Sequence, residues 1–159
     1  MFGCESRYME QLNTLINELE NNCIYLDKRN VRVSSASVGW HLEHNLKVIT
    51  QIINALEKSN PVDYKWKFNL TRTLILFVNK IPRGRGRAPK IVQPEGEITS
   101  ESLKNHFDKT RHMIKKLDTL QANSFFKHPY FGDLNLETTK HFLILHTNHH
   151  LKIIKDIIK

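Results

Sequence analysis

The sequence has little cysteine: two residues in 159, Cys4 and Cys23, nineteen positions apart and never in a CxxC pair. That spacing excludes a disulfide-stapled scaffold and a four-cysteine zinc site, and neither thiol is assigned a task. Long apolar runs are missing as well. The longest, Leu74 to Val78, has five residues, far short of the roughly 18 that cross a bilayer. Met1-Phe2-Gly3-Cys4-Glu5-Ser6-Arg7 has no apolar stretch behind a basic start, so no secretory signal is expected and the expected compartment is the cytoplasm. There is no Gly-x-Ser-x-Gly elbow, phosphate-binding glycine loop, Rossmann fingerprint or internal repeat.

The residues present, 40% hydrophobic and 25% charged, exclude wholesale disorder and suffice for one domain over 1–159 with a real core. The 24 Lys and Arg against 16 Asp and Glu leave a net charge of +8 with nine histidines neutral. Five of those cations, Lys80, Arg83, Arg85, Arg87 and Lys90, fall in an eleven-residue stretch without an anion. The rest of the chain is nearly balanced.

Four long segments carry helical periodicity. The first, about Glu5 to Asn22, spaces Tyr8, Leu12, Leu15, Ile16 and Leu19 three and four apart. The second follows cap candidates in Ser34-Ser35-Ala36-Ser37 and stops at Ser59-Asn60-Pro61. The third opens at Thr99-Ser100-Glu101 and continues to Leu120, and the fourth runs from Asp133-Leu134-Asn135 to about Ile158. The expected fold is therefore all-α, a four-helix bundle with a long connection between its second and third helices. Asn69 to Lys80 is read as an extra short helix ended by Pro82. A strand is the alternative there, although no partner strand is evident.

The histidines carry the chemical signal. In Leu145-His146-Thr147-Asn148-His149-His150-Leu151, His146 and His150 lie one turn apart and about 40° around a helix. They share an arc with Phe142, Ile153 and Ile157 and so point toward the interior, as does His149. Buried imidazoles need hydrogen bonds or a ligated cation, and a pair at this spacing can converge on one metal ion. A third ligand is required for a tight site. Trp40-His41-Leu42-Glu43-His44-Asn45 offers two candidates, of which His41 lies nearer the apolar stripe and His44 at its edge. The zincin motif is absent, because Thr147 occupies the position of its glutamate.

Ser37-Val38-Gly39-Trp40-His41-Leu42-Glu43-His44, His128-Pro129-Tyr130-Phe131-Gly132 and the His146 to His150 stretch together resemble the DinB/YfiT-like superfamily of metalloenzymes, over essentially the whole chain. The resemblance is nearest to a bacterial branch with a His-Pro-aromatic-Phe-Gly loop before the last helix. It implies a DinB-type bundle with a long crossover, a homodimer, and a divalent metal on three histidines that map to His44, His146 and His150. His41 and His149 then become supporting residues around the ligands. Thr138-Thr139 departs from the pattern, since the branch often carries Trp early in the last helix.

Three imidazoles suit Zn, Ni, Fe or Mn. The resemblance implies transferases and isomerases that use a low-molecular-weight thiol, and the expected function is a metal-dependent transferase or hydrolase acting on a small molecule, since a bound cation can activate water or hold a thiolate. No general base is evident. Glu43, Asn45 and Asn148 neighbour the ligands in sequence and could orient them, although a solvated or bundle-surface place is the favoured expectation. The competing function is nucleic-acid binding through Arg83, Arg85 and Arg87, although the Pro that follows Arg in an AT-hook is replaced by Gly86 and no aromatics are interleaved for base stacking. The same cations can instead form a solvated crossover loop, or attract an anion to a nearby metal.

Overall fold

The structure, a computed structural model, describes residues 2–84 and 86–159, with side chains from position 7 onward. Its five α-helices are α1 (Phe2–Asn21), α2 (Val38–Lys58), α3 (Leu70–Val78), α4 (Ser100–Ile114) and α5 (Leu136–Ile158). Two strands, β1 (Phe125–His128) and β2 (Gly132–Asn135), pair antiparallel between α4 and α5.

Side-chain caps set the starts of the long helices. Ser37 Oγ accepts from Trp40 N at 3.2 Å, Thr99 and Ser102 form a reciprocal capping box, and Asn135 Oδ1 accepts from Thr138 N at 3.1 Å. The apolar stripes then pack α1 against α4 and α5, and α2 against the same two helices. Leu19, Leu42, Leu46, Ile49, Phe107 and Ile154 lie fully buried in one cluster at their centre.

Gly39 lets the segment before α2 close onto its first turn. Its N–H donates to Leu26 O at 2.8 Å, and a Cβ at this position would meet that same oxygen at 3.0 Å. Gly39→Val is expected to lower unfolding free energy by roughly 2 kcal/mol in urea titration, the usual cost of forcing bulk into a packed site. The core also holds one unsatisfied hydroxyl among the described residues: Thr110 Oγ1 is fully buried without a partner. Thr110→Val keeps the shape and removes the desolvated oxygen, so it should raise stability by about 1 kcal/mol in the same assay.

The structure corrects the all-α expectation in one place. The stretch from Phe125 to Asn135 forms a hairpin rather than a plain loop, because Phe126 and Leu134 face the core while Lys127 faces out. Its three-residue turn returns through Gly132 at φ 71°, a conformation that favours glycine. The third long helix is shorter than expected, ending at Ile114 and tightening into a 3-10 turn over Lys115–Asp118 that still buries Leu117. The extra short segment is a helix, α3, capped by Asn69 and stopped by Asn79 at φ 53°, before Pro82 is reached. α3 is stitched to the hairpin: Asn69 Nδ2 donates to Tyr130 O at 3.1 Å, and the buried Arg72 guanidinium donates to the carbonyls of Phe131, Asp133 and Lys67. No helix among the described residues is long and apolar enough to cross a membrane.

Candidate metal centre

α2 presents His44, and α5 presents His146 and His150 one turn apart, on facing sides of the same interface. The ring centroids are 5.4 Å apart for His44 and His146, 4.8 Å for His44 and His150, and 4.5 Å for His146 and His150. One nitrogen from each ring can be chosen so that all three lie within 4.8 Å of one another, an arrangement that could hold a metal ion.

The donors are in the right protonation state. His44 is held below the ordinary imidazole range by burial, opposed by its hydrogen bond to Val92 O. His146 and His150 lie well below it, because of burial and then the repulsion of neighbouring histidines. All three are neutral near pH 7 and carry a lone pair for a cation.

Their outer nitrogens are occupied in ways that orient them. His44 Nδ1–H donates to Val92 O at 2.8 Å, leaving Nε2 for a ligand role. His150 Nδ1 meets His41 Nδ1 at 3.0 Å, and His41 Nε2 meets Ser34 Oγ at 3.0 Å. The consistent proton order runs from His150 Nδ1–H to His41 and from His41 Nε2–H to Ser34, which again frees His150 Nε2. Asn45, fully buried, sits 3.4 Å from His146 Nδ1 and accepts from Thr147 Oγ1 at 3.2 Å. Turning its amide by 180° lets Oδ1 accept from His146 Nδ1–H while Nδ2 donates to Thr147, so that His146 Nε2 is the free nitrogen. Such partners of the distal nitrogens characterise metal-binding histidines.

These contacts place the sequence-derived candidates. His41, favoured by periodicity alone, stands behind His150 rather than in the trio. His149 lies beside the cluster with a hydrogen bond to the Ile81 backbone, its pKa lowered to about 4 by burial and by Arg83. Asn45 is no surface residue, and burial against His146 and Thr147 corrects that expectation. Glu43 points away and bonds His106 Nδ1 at 2.9 Å, joining α2 to α4. Asn148 lines a separate cleft beside α3. The Cys23 thiol is pushed up to about 11 by burial and by Glu20, which leaves it a poor nucleophile.

A cavity of about 810 Å³ opens over the trio. Trp40, Val48, Ile52, Phe126, Phe142 and Ile153 supply its apolar wall, and the crossover from Ile81 to Val92 covers part of it. Trp40 stacks on His44, centroids 4.8 Å apart at 16°. The crossover is held by Arg83 on Asp156 at 2.9 Å, by Lys47 Nζ on Gln93 O at 2.9 Å, and by Val92 on His44. Arg83 and Arg87 both line the cavity; Arg85 lies outside the described residues.

Sequence reasoning passed over His128 and the carbonyl of Val92. His128 lies in a quoted motif, but its place in the cavity depends on a hairpin that no strand signal announced. Comparison with models of known protein families, with curated proteins and with solved structures finds no match to this chain.

Proposed function

We propose that the chain is a metal-dependent enzyme of the DinB/YfiT-like type, acting on a small molecule in the cavity above His44, His146 and His150, with thiol transfer or hydrolysis as its reaction class. The observation that carries the reading is the convergence of three neutral imidazoles, each with its outer nitrogen engaged, at the floor of a cavity large enough for a substrate. A divalent ion there, Zn, Ni, Fe or Mn, would lower the pKa of bound water or hold a thiol as thiolate.

The chain's own groups do the rest. Val92 O, Asn45 and the His41–Ser34 pair keep the three rings in place, and the Trp40 and Phe142 faces exclude water from the wall. The homodimer and the cytoplasmic location implied by the resemblance belong to the same proposal. Nucleic-acid binding by the basic loop draws less support, since Arg83 is engaged by Asp156 and both Arg83 and Arg87 line the cavity. Metal analysis of the purified protein tests the proposal: near-stoichiometric divalent metal is expected in wild type and loss of it in His44→Ala, His146→Ala and His150→Ala. A folded wild type that takes up none of the four metals after dialysis against each would refute it.

A further inference from the structure

The cavity has an unusual charge balance. No Asp or Glu is among its described lining residues, whereas Lys58, Arg83, Arg87 and Lys127 all are. Three neutral imidazoles would also leave the charge of a divalent ion uncompensated by its protein ligands. A cationic ligand would meet only like charge on this lining; Arg83 is already paired with Asp156, which leaves Lys58, Arg87 and Lys127 to answer an anion.

His128 adds direction. Its Nδ1 accepts from the backbone N–H groups of Tyr130 and Phe131, both at 3.2 Å, so the proton of the neutral ring sits on Nε2. The ring is clamped by stacking on Phe131, centroids 4.2 Å apart at 13°, and by its edge contact with Phe142 at 4.9 Å. Phe142 in turn lies 5.6 Å from His146. His128 therefore belongs to the same cavity as the three histidines, with a rigidly held N–H donor that has no partner among the described residues.

We propose that this cavity takes a small organic acid with an apolar body, and that His128 is the positioning residue whose Nε2–H holds the acid's anionic group beside the three-histidine site. The proposal rests on the reading of that site as a metal centre. The apolar body lies along Val48, Ile52 and Phe142, and the turn Pro129–Phe131 serves to fix the His128 tautomer.

Octanoate, octanamide and octylammonium, matched in chain length, serve as probes in calorimetric titrations of zinc-loaded and chelator-treated protein. Octanoate is expected to bind at least tenfold more tightly than either of the others, and more tightly with zinc than without. His128→Asn keeps an acceptor for the two turn N–H groups and removes the Nε2 donor. It should weaken octanoate at least tenfold while leaving zinc content near wild type, with a smaller fall in Tm than His128→Ala, which loses the two turn contacts as well as the ring. If His128→Asn does not fold, the pair Arg87→Gln and Lys127→Gln must reduce the preference for octanoate over octanamide. Equal binding of the three probes, absence of octanoate binding, or an unchanged octanoate Kd in folded His128→Asn overturns the proposal. Zinc content measured on the same samples reports on the metal reading separately, so a protein that loads zinc but ignores the acid fails only here.

Discussion

His146→Ala and His150→Ala each weaken divalent-metal binding by about a hundredfold or more, since structural zinc sites owe on the order of 10 kcal/mol to some four ligands. Without the His146 ring, Asn45 keeps Thr147 but loses its partner on the other amide atom, and His44→Ala strands the Val92 carbonyl inside the protein; both should lower Tm as well as metal affinity. His41→Ala removes only the support of His150, and a tenfold to hundredfold loss is expected from changes of that kind. Titrating zinc against a chelating dye, with Trp40 fluorescence as a second reporter because its indole stacks on His44, measures all four. If His146→Ala held zinc as tightly as wild type, the three rings would be no metal site.

The four long helices were legible because their apolar residues recur at three and four over about four turns or more, and because Ser37, Thr99 and Asn135 are strong cap formers. The hairpin was not legible. Each strand has four residues, too short for alternation to stand out, and the hairpin is held by packing on α2 and α5 and by Phe125 N–H donating to Ser59 Oγ 66 positions away. α3 was legible as a helix from the apolar stretch Asn69 to Lys80 ahead of Pro82, although its composition also suited a strand; that no partner strand was evident in the sequence decided between them.

The candidate site was partly written in local spacing. His146 and His150 can be paired from their four-residue interval, whereas the choice between His41 and His44 cannot, because they differ by only about 60° around α2 and both face α5. One turns out to sit in the trio and the other to hold His150. What no local pattern carries is the second partner of each ring: Val92 is 48 residues from His44, and His41 and Asn45 lie 109 and 101 from the α5 histidines they serve. The basic loop changed meaning for the same reason. In the sequence it reads as an isolated run of cations, and folded it borders the histidine cavity.

Metal-free protein should unfold in acid with a midpoint near pH 5. Six histidines, His41, His44, His128, His146, His149 and His150, are held below their ordinary value of 6.5, burial being the largest cause for each, and His41, His128 and His149 lie at about 4. Between those folded values and 6.5 the unfolded chain binds more protons than the folded one. Stability is therefore full above pH 6.5 and falls as pH drops through that window. Each such proton contributes about 1.4 kcal/mol per pH unit, so several together remove a large part of a typical 5–15 kcal/mol within roughly one to two units. The geometry names the first contacts to fail. Protonated together, His41 and His150 would face one another with two N–H groups across 3.0 Å, and a protonated His128 could no longer accept from Tyr130 and Phe131. Circular dichroism of chelator-treated protein from pH 8 to 3 measures the transition, and His128→Asn, which removes one of the six, should make it shallower by about one proton. A metal-free protein equally stable at pH 7 and pH 4.5 would mean that these rings titrate in the folded state as they do in the unfolded chain, open to water.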